Sequence, residues 1–220
     1  MASLEHKPAW TRNFVRLKTS VVLAIGLFAA ALVGIAISKF SFSGLPALSA
    51  GTFFPTARPI ADFNLKFENG AEFTRKDLTG HWTALFAGYT HCPDVCPTAL
   101  AQLKAAKAKL GADAEKLTIL FLSVDPERDT PDRLADYVHY FDPSFRAATG
   151  SEQQINAFAA NLFIVHMKAP NESSGGYEVG HSAELILIDP KGRHAGFLRS
   201  PFVPETLAAD LKAVLMSRVP

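Results

Sequence analysis

The chain contains 220 residues, carries a formal net charge of +1 and has only two cysteines. This length allows one ordinary domain with a buried core and leaves some residues over. Seventeen phenylalanines and a charged fraction of 20% argue against intrinsic disorder, and two cysteines exclude a small disulfide-stapled scaffold. The near-neutral charge provides no electrostatic basis for binding nucleic acid.

Residues 21–37 form an uninterrupted apolar run near the start of the chain. Extended to 20–38, the run just meets the roughly 17–25 residues that a helix needs to cross a bilayer. A signal peptide has a shorter apolar stretch, of about 7–15 residues, followed closely by a cleavage site. We therefore predict an uncleaved transmembrane anchor over 20–38, with a cleaved signal peptide and a buried core helix as the alternatives.

Basic residues are distributed unequally around the predicted anchor. Four precede it, and only Lys39 occurs in the nineteen residues that follow. The positive-inside rule then keeps residues 1–19 in the cytoplasm. In a bacterium the remaining chain would face the periplasm from the inner membrane. The residues before the anchor do not resemble an Arg- and Ser-rich presequence, so a mitochondrial origin is less favoured.

Residues 39–59 are predicted to form a tether. They contain five glycines or prolines among small residues and no acidic group. This composition is typical of a linker. The globular domain is therefore expected to cover residues 60–220.

Within this domain, short apolar segments alternate with helical patterns. Strands are predicted over 63–68, 82–88, 117–124, 162–167, 184–188 and a segment ending near Leu198. Helices are predicted over 97–110, from Thr130, from Ser151 and over 204–217. Asn69-Gly70 is a strong hairpin signal between the first strand and its partner.

The order of these elements predicts the fold class. Strand, helix, strand, helix and a terminal hairpin with a helix indicate an α/β sandwich with a mixed central sheet. By analogy, this order is similar to the thioredoxin-like fold. We therefore expect a thioredoxin-like sandwich preceded by one transmembrane helix.

The two cysteines, Cys92 and Cys96, lie between the strand at 82–88 and the following helix. A helix N-terminus favours thiolates, and a separation of four residues places both sulfurs on one side of a helical turn. Two thiolates suit Cu(I), and an imidazole would complete a trigonal site. The alternatives are a loop-pinning disulfide, whose small ring gains little stability, and zinc, which wants four protein ligands.

The imidazole could come from any of seven histidines: His6, His81, His91, His139, His166, His181 and His194. His6 lies on the other side of the predicted membrane segment. His181 precedes the strand at 184–188 and can reach the same sheet edge as the cysteines. A lone histidine is usually structural, so spacing alone leaves His181 as one candidate among several.

Three segments resemble the motifs of the Sco/SenC family of copper proteins. They are GYTHCPDVCP at 88–97, SVDPERDTP at 123–131, and GHS at 180–182 followed by LIDPKG at 187–192. The motifs occur in order and cover the domain from about Ile60 to Met216. A lone CxxxC would be a weak signal, whereas the three motifs together are specific.

The resemblance implies a membrane-anchored, thioredoxin-like protein that binds one copper ion, as Cu(I) or Cu(II), through Cys92, Cys96 and His181. It also implies a role in delivering copper to, or reducing the cysteines of, the CuA site of cytochrome c oxidase subunit II. Other periplasmic copper carriers are expected as further partners. Many family members have an acidic residue just before the histidine, whereas this chain has Gly180. The charged residues of the second motif, Asp125, Glu127, Arg128 and Asp129, are expected at the surface or facing a partner.

A copper chaperone is thus the favoured function, and whether the chain is also an enzyme stays open. The first alternative is a thiol–disulfide oxidoreductase that reduces the cysteines of the CuA site, with Cys92 and Cys96 as the redox pair. Three residues between the cysteines, rather than the usual two, weaken this alternative. A thiol peroxidase and a purely structural, membrane-tethered binding module are the remaining hypotheses.

Overall fold

The computed structural model describes residues 25–31, 47–171 and 176–217. The chain divides into two units, Met1–Gly44 and Leu45–Pro220. In the first unit, residues 25–31 are helical, whereas segment 1–19 and the rest of the predicted anchor 20–38 lie outside the described residues. Within the described ranges we find no helix with the length and apolar character needed to cross a membrane.

The second unit is a mixed α/β domain. Its described strands are β1 Gly51–Pro59, β2 Asn64–Phe67, β3 Glu72–Thr74, β4 Trp82–Gly88, β5 Leu117–Ser123, β6 Arg146–Thr149, β7 His166–Asn171, β8 Gly176–His181, β9 Leu185–Ile188 and β10 Arg193–Leu198. Its described helices are α1 Val95–Ala108, α2 Pro131–Phe141, α3 Glu152–Asn161 and α4 Pro204–Met216. The sheet order is β1-β10-β9-β4-β5-β6-β2-β3, and β7 and β8 form a separate hairpin. The predicted α/β class with a mixed central sheet is confirmed.

Strands β4 and β5 lie side by side in the middle of the sheet and determine where the loops of the first two motifs meet. The two strands are parallel, and every residue of β4 is buried, as expected for a strand covered on both faces. Helix α1 connects them and packs against α4. Val124, just after β5, donates a backbone hydrogen bond of 2.9 Å to the Gly88 carbonyl at the end of β4. The loops that follow the two strands are therefore neighbours.

Local sequence signals explain where the helices begin. The Thr130 hydroxyl accepts a hydrogen bond from the Arg133 amide at the start of α2, and Ser151 forms a capping box with Gln154 at the start of α3. Helix α1 begins two residues earlier than predicted, so Pro97 is its third residue. A proline fits there because the amides of the first turn have no partner within the helix.

Residues 51–59, expected as part of the tether, instead form β1, the edge strand of the large sheet. β1 pairs with β10, and its register shifts between Phe53 and Arg58, around Pro55. A proline is accommodated at an edge or a bulge, where no ladder hydrogen bond is lost. The Phe53 ring packs against Trp82 at a centroid distance of 6.3 Å, which joins this strand to the core.

The strand predicted over 162–167 is wrong in its first part, because β7 begins only at His166. Phe163 has a φ of 57°, a left-handed conformation that interrupts an extended chain. The Val165 amide donates a hydrogen bond of 3.0 Å to the Ser182 hydroxyl instead of to a neighbouring strand. This short loop therefore contacts the residue that follows His181.

Candidate metal centre

The first motif occupies the connection between β4 and α1. The Cys92 amide donates a hydrogen bond of 3.2 Å to the Tyr89 carbonyl, which forms a turn directly after the strand. Helix α1 then begins at Val95, so Cys96 lies in its first turn. Cys92 is partly exposed, Cys96 is fully buried, and both are free thiols. One sulfur thus faces the surface and the other faces the interior.

The two thiols and one imidazole converge on a single point. One ligand atom from each of Cys92, Cys96 and His181 lies within 4.8 Å of the other two. The Cys96 sulfur is 3.4 Å from His181 Nε2. The Cys96 amide donates a hydrogen bond of 3.5 Å to the Cys92 sulfur, so this sulfur is the partner of an amide in the first turn of α1. The residues singled out in the sequence are therefore brought together by the fold.

The orientation of the His181 ring suits metal binding. His181 Nδ1 lies 3.0 Å from the Ser182 carbonyl oxygen, which can only accept a hydrogen bond. Nδ1 therefore carries the proton, and Nε2 presents its lone pair to the sulfurs. The Phe86 and Tyr89 rings contact the imidazole edge-on at 6.0 and 5.9 Å. A backbone carbonyl thus orients the ring in this chain, where Gly180 provides no carboxylate.

The two thiols have opposite acidities. The hydrogen bond from Cys96 lowers the pKa of Cys92 to about 3, and backbone amides contribute in the same direction against burial. The hydrogen bond with Cys92 and burial raise the pKa of Cys96. At neutral pH Cys92 is therefore the thiolate and Cys96 carries the shared proton. A soft metal ion that replaced this proton would be bound by both sulfurs.

The other histidines do not join the group in the described part of the chain. His91 interacts with Thr90 and lies 3.2 Å from the Arg133 guanidinium. His166 pairs with His181 across the β7–β8 hairpin, and His194 is buried in β10. His6 lies outside the described residues. The geometry therefore selects His181 from the candidates that spacing left open.

Asp129 of the second motif supports the loop of the first motif. Its side chain is 1% exposed and accepts hydrogen bonds from the Thr90 amide at 3.0 Å and the Thr90 hydroxyl at 2.6 Å. It also accepts a bond of 2.7 Å from the Ser123 hydroxyl at the end of β5. A buried carboxylate with three donors is fully compensated and rigid. Asp129 thus fixes the start of the cysteine loop to the central sheet.

Asp125 supports the hairpin that carries His181. This carboxylate is fully buried and accepts hydrogen bonds from Arg128 and, at 2.7 Å, from the Tyr177 hydroxyl of β8. The Arg128 guanidinium also lies 3.9 Å from the Tyr177 ring centroid and donates a hydrogen bond to the backbone carbonyl oxygen of Tyr177. The expectation that Asp125 and Asp129 face the surface or a partner is therefore wrong. Only Glu127 is exposed, where it pairs with Lys168 of β7.

The fold and the site together define a class of protein. A mixed α/β domain carries two thiols between the central strand β4 and the start of a helix, beside an imidazole whose Nε2 lies 3.4 Å from the Cys96 sulfur. These donors could hold one soft metal ion.

Comparison with known proteins identifies the family. Residues 55–216 match the SCO1/SenC family, and the chain belongs to it. A relative from Stutzerimonas stutzeri, whose name refers to copper binding, is 34% identical over 162 residues, covering 73% of this chain and 79% of that protein. The mitochondrial SCO1 homolog 1 of Arabidopsis thaliana is 39% identical over 130 residues, covering 59% of this chain but only 39% of that protein.

A solved structure supports the same conclusion. The structure of Bradyrhizobium japonicum ScoI with copper bound is 39% identical to this chain and has a TM-score of 0.63. The match covers 69% of this chain and 96% of the ScoI chain. The predicted thioredoxin-like fold is therefore confirmed as the fold of a Sco protein, and copper is the metal that the family and the donor set support.

Proposed function

We propose that this chain is a copper chaperone that binds one copper ion through Cys92, Cys96 and His181. The observation that carries the proposal is the convergence of their ligand atoms within 4.8 Å. Two thiolates and one neutral imidazole are ligands that favour Cu(I) over harder ions. The copper-bound ScoI structure, which shares the fold, supports the choice of metal.

The unequal exposure of the sulfurs suits transfer rather than storage. Cys92 is partly exposed, while Cys96 and the inner face of His181 are covered by the domain. An acceptor ligand can reach the metal from the Cys92 side and replace this sulfur first. The copper ion would then leave by stepwise ligand exchange, which avoids release of a free ion.

We infer that the acceptor is the CuA site of cytochrome c oxidase subunit II. The support is the family itself, together with the motifs that resemble it. We further propose that residues 20–38 anchor the chain in a bacterial inner membrane, with residues 1–19 in the cytoplasm. The copper-binding domain would then face the periplasm, where a membrane-bound acceptor can be reached.

Copper stoichiometry and transfer to apo-subunit II test the chaperone proposal. We expect about one tightly bound Cu(I) per reduced chain, and transfer of that copper to the acceptor. His181→Ala should lose affinity and transfer, whereas His139→Ala, which removes an exposed helix histidine, should behave as wild type. Wild-type copper affinity in the His181→Ala chain would contradict the ligand set.

A second function is favoured by the lowered pKa of Cys92, which makes this partly exposed thiol a nucleophile at neutral pH. As a thiol–disulfide reductase, the Cys92 thiolate attacks the oxidised CuA cysteines and forms a mixed disulfide. Cys96 then displaces the second substrate thiol and forms the Cys92–Cys96 disulfide, so two electrons pass to the substrate. Cys92→Ser should abolish this reduction while His181→Ala spares it. Equal loss in both variants would favour metal transfer instead.

A further inference from the structure

Tyr89 joins the cysteine loop to the hairpin that carries His181, and the copper proposal leaves its side chain without a role. The residue directly follows β4 and is 4% exposed. Its carbonyl oxygen accepts the hydrogen bond of 3.2 Å from the Cys92 amide, and its own amide donates a hydrogen bond to the Cys96 sulfur. The backbone of this one residue therefore contacts both cysteines.

The side chain of Tyr89 contacts the β7–β8 hairpin. Its ring meets the His181 ring edge-on, at a centroid distance of 5.9 Å and an interplanar angle of 84°. Its hydroxyl group accepts a hydrogen bond from the backbone amide of Val179, a residue of β8 that is 3% exposed. The same side chain therefore contacts both the imidazole and the strand that carries it.

A cation restricts the Tyr89 ring further. The Arg128 guanidinium lies 5.6 Å from the Tyr89 ring centroid and 3.9 Å from the ring centroid of Tyr177. A guanidinium at these distances is attracted to both rings. Arg128 also donates a hydrogen bond to the buried carboxylate of Asp125. The Tyr89 side chain is thus held at its hydroxyl group and at its ring.

The hairpin depends on such contacts because it is a separate two-stranded sheet. The hydrogen bond from Tyr177 to Asp125 attaches the start of β8 to the domain, whereas Tyr89 contacts the imidazole at the end of the same strand. Copper needs the imidazole and the two sulfurs at one separation. The apparent affinity falls with the fraction of molecules in which the donors already have that separation. A residue that fixes this separation therefore sets the affinity.

We propose that Tyr89 is a positioning residue of the copper site, which holds the His181 imidazole at the separation from the two thiols that one copper ion requires. The ring sets the orientation of the imidazole, and the hydroxyl group attaches β8 to the end of β4. Tyr89 itself is not one of the three metal-binding residues. The inference rests on the proposed copper function and deepens it, because it names the residue that preorganises the donors.

Cu(I) affinity and the visible spectrum of the Cu(II) form test this role in the full-length chain. Tyr89→Leu removes the ring and the hydroxyl group, and we expect it to weaken Cu(I) binding at least tenfold. Tyr89→Phe removes only one hydrogen bond, so we expect a loss of about two- to fivefold. The sulfur-to-copper charge-transfer band of the Cu(II) form should shift in Tyr89→Leu and return to the wild-type position in Tyr89→Phe.

Phe158→Leu is the matched control for the loss of a buried ring. Phe158 is fully buried and packs against Phe63 and Phe73, outside the metal-binding group. This variant should lose stability and keep the wild-type Cu(I) affinity and Cu(II) spectrum. A merely structural role of Tyr89 would make the two leucine variants alike in copper binding.

Wild-type Cu(I) affinity and an unshifted band in Tyr89→Leu would overturn the inference, and so would an equal loss of affinity in Phe158→Leu. If Tyr89→Leu fails to fold, wild-type affinity in Tyr89→Phe overturns it. NMR of the metal-free wild-type chain needs no variant: contacts between the ring protons of Tyr89 and His181 are expected, and their absence would also overturn it. A wild-type chain that binds no copper would overturn the chaperone proposal as well, so the two failures are distinguishable.

Discussion

Substitution of Gly88 by alanine tests whether the end of β4 positions the Cys96 sulfur for copper. A Cβ at Gly88 would lie 2.8 Å from Cys96 Sγ and 2.7 Å from a ring carbon of Phe121. Ordinary van der Waals contacts begin at 3.4 Å, so the sulfur would be 3.4 − 2.8 = 0.6 Å too close. Metal–ligand distances tolerate deviations of about 0.2 Å. The sulfur, the ring or the strand must therefore move by more than the site accepts.

We expect this substitution to weaken copper binding at least tenfold, which corresponds to about 1.4 kcal/mol. Crowding of a packed interior should also lower the free energy of unfolding by about 1–3 kcal/mol. The loss of copper affinity has to be separated from the loss of stability. A second glycine in the same domain allows this separation.

Gly150→Ala is the matched control. A Cβ at Gly150 would lie 2.7 Å from a methyl group of Leu65, which is a comparable crowding at a position outside the metal-binding group. We expect a similar loss of stability in this variant and wild-type copper affinity. Both variants would be measured by denaturant unfolding and by Cu(I) competition against a chromophoric chelator.

Two results would refute the reasoning. Wild-type copper affinity in the Gly88→Ala chain would mean that the sulfur position does not depend on this contact. An equal loss of affinity in the Gly150→Ala chain would mean that copper binding follows global stability, and that the local geometry of the Cys96 sulfur is not decisive.

Three further predictions concern the groups around the site and the buried His194. Tyr177→Phe removes a hydrogen-bond donor to the buried Asp125 and should lower the free energy of unfolding by about 1–3 kcal/mol. It should also weaken copper binding several-fold. Tyr140→Phe, at an exposed position, should change neither the stability nor the copper affinity. Because the pKa of Cys92 is lowered to about 3, its alkylation by iodoacetamide should be almost independent of pH between 5 and 8, and a rate that rises tenfold per pH unit would contradict this. His194 has a pKa lowered from 6.5 to about 4, so the unfolded chain binds a proton before the folded chain does as pH falls. Stability should therefore decrease between pH 6.5 and 4, by up to about 3 kcal/mol, and urea unfolding of His194→Phe should lack this part of the pH dependence.

The central part of the fold was predictable because its signals are local. The strands β4 and β5 consist mostly of apolar residues, and their predicted bounds agree with the structure within one residue. The starts of α2 and α3 follow from capping residues that bond to amides three positions along the chain. The cysteine pair and its location at a helix start were likewise visible in the sequence.

The parts that sequence reasoning missed depend on distant partners. β1 contains prolines and small residues, and it forms a strand because β10 offers an edge and because Asp210 accepts hydrogen bonds from the Ser49 and Ala50 amides. No local pattern contains that information. The burial of His194 is similar, since its neighbours Phe54 and Phe163 come from segments more than thirty residues away along the sequence. A hydropathy pattern records which residues can be buried, but not which distant side chains will surround them.

The second motif explains how donors from distant parts of the chain form one site. Cys96 and His181 are separated by 85 positions, and His181 lies on a hairpin that is not a part of the main sheet. Asp129 bonds to the loop before Cys92, and Asp125 bonds to the hairpin through Tyr177. Both carboxylates follow the same strand, β5. The loop that carries the thiols and the hairpin that carries the imidazole are therefore both attached to the end of this strand. The sulfur–nitrogen spacing is therefore set by buried polar contacts, which leaves Cys92 free to remain partly exposed for exchange with an acceptor.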